Sequence, residues 1–114
     1  MGPSPPIRHA RALRWLYEVL SPYADREGLG KITWSPADIS LEPESILQPD
    51  LFLIPADQEA KAKAWSDITT LPLTIEVLSE STARQDRGKK REYYQRNRVD
   101  EYWIVDLDSR LVER

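Results

Sequence analysis

The sequence predicts an α/β domain in which helices flank a mixed central sheet. Three observations carry this reading. Leu73–Leu78 is a short run apolar on both faces, as expected of a central strand rather than a wet edge. It leads through Ser79, Ser81 and Thr82, each able to cap a helix, into a basic helical segment at about 84–97. The full order of elements is α-β-β-β-α-β-β, which calls for a sheet with helices packed on it.

The elements follow in order. Residues 1–6 hold three prolines and read as a flexible lead-in. From Ile7 the pattern is helical, with Leu13, Leu16, Tyr17, Leu20 and Ala24 on one side. Arg8, Arg11 and Arg14 lie on the other, with Trp15 beside them. Pro22 should kink this helix or restart it with Ser21 as cap, and Gly28 or Gly30 should end it. Lys31–Ser35 and Ala37–Leu41 read as two strand pieces bent at Pro36, followed by a turn at 42–45. Ile46–Ile54 reads as a strand whose run Leu51-Phe52-Leu53-Ile54 should be buried. Pro55–Trp65 is a short helix or a mobile loop. After Leu73–Leu78 and the basic helix come a strand at Glu101–Leu107, a turn at Asp108-Ser109 and a strand at Arg110–Glu113.

A chain of 114 residues is one domain, here 1–114. It has no cysteine, which excludes disulfides, thiolate zinc sites and cysteine nucleophiles. No apolar run is long enough to span a membrane, and the start lacks a signal-peptide apolar region, so the expected location is the cytoplasm. The net charge is −3, yet Arg84–Arg98 carries seven basic residues against Asp86 and Glu92, a net +5 that leaves −8 for the rest. The asymmetry suggests a local anion-facing surface on an acidic protein.

Glu76 sits among Leu73, Ile75, Val77 and Leu78, where a carboxylate is costly to bury without compensating donors or a cation. Asp50 lies 26 residues earlier, just before the preceding apolar strand. Adjacent strands would bring the two carboxylates together, and two such acids can hold magnesium, or manganese in its place. Pro49-Asp50 equally fits a strand-entry turn. At 100° per residue, Asp86, Lys90, Tyr93, Tyr94 and Asn97 share one helix face, and the tyrosines mark it as inward. Lys90 on that face can orient a water or stabilise a phosphate, whereas Lys89 points elsewhere; a lysine snorkelling to solvent is the plainer alternative. Arg84, Arg87, Arg91 and Arg98 can grip phosphates without reading sequence, or simply form a solvated face. His9, the one histidine, lies near a mobile end, which argues against histidine-based acid–base or triad chemistry. Four scattered glycines make no phosphate loop.

The ordered series Gln48-Pro49-Asp50, Glu76-Val77-Leu78-Ser79, Ser81-Thr82, Asp86, Lys90, Tyr94 and Glu101-Tyr102-Trp103-Ile104-Val105-Asp106 resembles the Uma-type restriction-endonuclease family of the PD-(D/E)xK nuclease superfamily. His9, at the start of the first long helix, also fits. The resemblance implies a restriction-endonuclease-like α/β fold and a metal-dependent DNA endonuclease. Asp50 and Glu76 would be the metal-binding acids, with the Val77 carbonyl as a further ligand. The superfamily's usual lysine, two residues after the acid, is replaced by Leu78; in the Uma-type pattern that role moves to the following helix, matching Lys90. Hydrolysis would proceed by in-line attack of metal-activated water on a phosphodiester. The resemblance also implies an upstream segment, usually a strand hairpin with a further acid, and the expectation is that this sequence begins after it. The expected partner is DNA, with no membrane. A homodimer is in keeping with cutting both strands, since an uncovered sheet edge can pair. Two other classes remain open: a catalytically inactive nuclease-like module that binds nucleic acid or protein, and an assembly protein whose acids line a polar pocket.

Overall fold

The computed structural model describes residues 7–34, 37–41, 46, 48–78, 87–96, 99–107 and 111–113; for residues 87–90, 93, 111 and 113 it describes the backbone alone. Helix α1 (Ile7–Arg26) is followed by strands β1 (Gly30–Trp34) and β2 (Leu51–Pro55). A short helix α2 (Ala56–Glu59) and a 3-10 turn (Trp65–Asp67) lead to β3 (Leu73–Leu78), α3 (Arg87–Arg96), β4 (Glu101–Asp106) and β5 (Leu111–Glu113). These strands are ordered β1-β2-β3-β4-β5 in one sheet. Among the described residues β3 and β4 run parallel, and the other pairings are antiparallel. A parallel pair needs a crossover, and α3 lies within it.

Strand alternation divides the core in two. Ile32, Leu51, Leu53, Ile75 and Val77 pack with Leu16 and Ala24 of α1. The intervening Phe52 and Ile54 face the opposite way, with Ala37, Ile39, Ile68 and Leu71. β3 is therefore covered on both faces, which explains its near-continuous apolar sequence. The fully buried Tyr94 brings α3 against Tyr102 of β4, ring centroids 4.3 Å apart.

α1 runs unbroken through Pro22, with no restart at Ser21. Pro22 is exposed, so the ring that removes one helical N–H does so at the wet surface. The helix ends in a Schellman motif. Gly28 takes φ 67°, its N–H donates to the Asp25 carbonyl, and the Leu29 N–H donates to the Ala24 carbonyl at 3.0 Å. Gly30 has another task. A Cβ there would lie 1.9 Å from the Ile54 carbonyl oxygen, so only glycine lets β1 start against β2.

Three expected elements differ. Ala37–Leu41 keeps its alternation, with Ala37 and Ile39 buried and Asp38 and Ser40 exposed, but only Ile39 forms an isolated bridge. Ile46–Ile54 becomes a strand only from Leu51, because Pro49 has no N–H to give a ladder and the Asp50 side chain occupies the next donor on β3. The strand expected at Glu101–Leu107 closes at Asp106. The lead-in at 1–6, the bend at 35–36, the turns at 42–45 and 108–109, and residues 84–86 and 97 of the expected basic helix lie outside the described residues.

Candidate active site

The register of β2 on β3 pairs Leu51 with Ile75, which sets Asp50 against the Glu76–Val77 end of β3. One Asp50 oxygen, Oδ2, accepts the Val77 backbone N–H at 2.8 Å. A side chain thus replaces a ladder carbonyl where β2 has not yet begun, tying Asp50 to the peptide next to Glu76. Glu76 itself is 3% exposed. Its Oε1 accepts the Tyr94 hydroxyl at 3.0 Å, from a phenol also buried beneath α3. Burial pushes the Tyr94 phenol far above its ordinary range, and the adjacent Glu76 charge and hydrogen bond push it further. Tyr94 is therefore a permanent donor to the carboxylate, an arrangement that offsets part of the cost of burying Glu76.

His9 enters from the other side of the sheet. Its Nε2 lies 3.4 Å from Asp50 Oδ2, and its side chain is 12% exposed. The hydrogen bond to Asp50 raises the imidazole above its ordinary value, the nearby Asp50 charge and the Val77 carbonyl add to this, and burial opposes it. The chain end that precedes His9 lies outside the described residues, but His9 itself does not. It sits in the first turn of α1, its ring held by the groups around Val77. The spacing that put Leu13, Leu16, Tyr17 and Leu20 on the inner face could have found it, because His9 precedes Leu13 by one helical turn.

A second buried acid lies close by. Asp106 is 4% exposed and ends β4, whose Ile104 pairs with Glu76. Two-residue alternation puts Glu76, Ile104 and Asp106 on one sheet face. Sequence reading gave Asp106 no role, although an acid ending an apolar strand carries the same anomaly as Glu76.

A family model described as "Uma2: Putative restriction endonuclease" matches residues 1–114. The chain belongs to this family. Four solved chains match the Uma2 chain. One is the crystal structure of "a putative nuclease belonging to DUF820" from Anabaena variabilis, 16% identical with a TM-score of 0.71. That comparison covers 98% of this chain and 65% of the solved one, so the chain spans just under two thirds of the length of that relative. The fold is restriction-endonuclease-like. No curated protein matches the chain.

For this Uma2 member, Asp50, Glu76 and Val77 are thus brought together at one end of β3. Lys90 lies in the first turn of α3 by its backbone, as does Arg87, and their side chains are outside the described residues. Arg91 is exposed on α3, while Arg84 and Arg98 lie outside the described residues. Of the helix face expected to turn inward, Tyr94 does so. An open cavity of about 350 Å³, lined by Arg91, Tyr94, Gln95, Glu101 and Tyr102, lies at the start of β4, away from Asp50. Two carboxylates and a main-chain carbonyl form an oxygen donor set suited to a hard divalent cation. Among the described residues no group of three His, Cys, Asp or Glu side chains gathers to hold a metal.

Proposed function

We propose that this domain is a metal-dependent DNA endonuclease that hydrolyses phosphodiester bonds. The observation that carries the reading is the 2.8 Å bond from the Val77 N–H to Asp50, which holds one acid beside the strand position of the other. Asp50, Glu76 and the Val77 carbonyl would hold magnesium or manganese, which when bound supplies an activated water and charge neutralisation. Glu76 is oriented by the Tyr94 hydroxyl, which donates to its Oε1. Asp50 is fixed by Val77 and His9, so both carboxylates are set before substrate arrives. Lys90, on the helix that follows Glu76, would orient the water or stabilise charge on the phosphate. Arg84, Arg87, Arg91 and Arg98 would hold the DNA backbone without reading its sequence.

A catalytically inactive binding module is the second reading. The observation favouring it is that His9 lies against the same Asp50 oxygen that accepts the Val77 N–H. One experiment separates the two. Purified protein is incubated with plasmid DNA and magnesium or manganese beside its Glu76→Ala variant. The nuclease reading expects cleavage that disappears in the variant. Absence of cleavage in the wild type, with DNA binding retained, would transfer the conclusion to the inactive module.

A further inference from the structure

The outward face of α1 is not used by the site just described. The segment Ile7–Tyr17 contains Arg8, Arg11 and Arg14 and no acid. Arg8 lies in the first turn of α1, where no acid is present and a cation opposes the helix dipole. At 100° per residue Arg11 and Trp15 fall within about 60° of Arg8, on one stripe. All three are exposed, and Trp15 is 62% exposed, outside both core clusters. Arg14 is turned further round, against Glu18 at 2.8 Å. The stripe begins beside the candidate site, because His9, the neighbour of Arg8, reaches Asp50. From Arg8 to Trp15 the helix rises about 10 Å.

We propose that Arg8, Arg11 and Trp15 form a track for single-stranded DNA running away from the site. Arg8 and Arg11 contact successive phosphates and Trp15 stacks on an unpaired base. The occupant follows from charge and ring together: guanidinium groups suit phosphate, and an exposed indole suits the face of a base free of its stack. The inference rests on the nuclease reading and deepens it, naming DNA with an unpaired segment as the substrate class.

The test is fluorescence anisotropy of the full chain with a labelled 20-nucleotide oligo-dT and a duplex of equal length, in EDTA so that cleavage plays no part. Single-strand binding should be tighter than duplex binding. The Arg8→Ala/Arg11→Ala double variant should weaken it at least tenfold and lower the salt slope by about 1.4, since each phosphate no longer neutralised removes about 0.7. Trp15→Ala should weaken it about tenfold and Trp15→Phe should restore most of the loss. Arg26→Ala, about three turns beyond Trp15, should leave it unchanged. Wild-type affinity in the double variant, or no binding of single strands, would overturn the track. So would a Trp15→Ala variant that keeps its DNA affinity but changes mass by sedimentation, which would make the stripe a protein interface. A protein that cuts plasmid but binds every variant equally loses the track and keeps the nuclease; one that binds as expected but never cuts keeps the track alone.

Discussion

Glu76 is the residue whose environment most needs an account, since an acid 3% exposed in a central strand is stable only with donors around it. The Tyr94 hydroxyl is one such donor, at 3.0 Å. Tyr94→Phe removes it while keeping the ring that packs on Tyr102, so urea unfolding should register a loss of about 2 kcal/mol. An unchanged midpoint would mean that other groups satisfy Glu76 without it. The phenol also predicts a pH dependence. Its pKa is raised in the folded protein, so the fold favours the protonated form. That stability is complete below the ordinary phenol value of about 10 and declines as pH rises above it. An absorbance titration should leave at least one of the five tyrosines un-ionised until the protein unfolds, and Tyr94→Phe should remove that late component. Much of this was legible in the sequence: periodicity gives the anomalous acid and the inward Tyr94, and the expected adjacency of two strands puts Asp50 near Glu76. The contact of His9 with Asp50 was not, because helical spacing places a histidine on a face without naming a partner 41 positions away.

At the scale of elements, the legible parts were those whose pattern and pairing are set together. α1 has a clear helical period, and β3 and β4 are largely apolar runs with a partner strand on each side. Ala37–Leu41 shows how a pattern misleads: alternation reports which side chains turn inward, and these do, but it does not supply a neighbouring strand with free ladder groups. The two glycines after α1 illustrate the same distinction between local and distant causes. Gly28 is required by a left-handed cap that opens to space, whereas Gly30 is required by the Ile54 carbonyl on another strand. Gly28→Ala should therefore cost about 1 kcal/mol, the penalty of an L-residue in that conformation. Gly30→Ala forces β1 and β2 apart and should cost several times more, or prevent folding. Comparable unfolding midpoints for the two variants would contradict the close approach of β1 to β2.

At the scale of the whole molecule, the sheet carries α1 on one face and α3 on the other, and the site forms where side chains from both layers meet the end of β3. His9 comes from α1, Tyr94 from α3, Asp50 from the approach to β2 and Glu76 from β3 itself. Occupying this site should therefore stabilise the entire fold. A ligand that binds only the folded state adds about 2.7 kcal/mol at one hundred times its Kd. For a chain of 114 residues that corresponds to a rise in Tm of about 10 °C. Manganese should raise the Tm of the wild type in this way. Glu76→Gln should show almost no rise, while its Tm without metal should equal or exceed that of the wild type. The amide oxygen still accepts from Tyr94, and removing one charge relieves repulsion with Asp50. Scanning calorimetry of both proteins with and without manganese reads each quantity. A variant that gained as much Tm as the wild type would detach the metal from Glu76; one that unfolded without metal would make Glu76 a structural residue first.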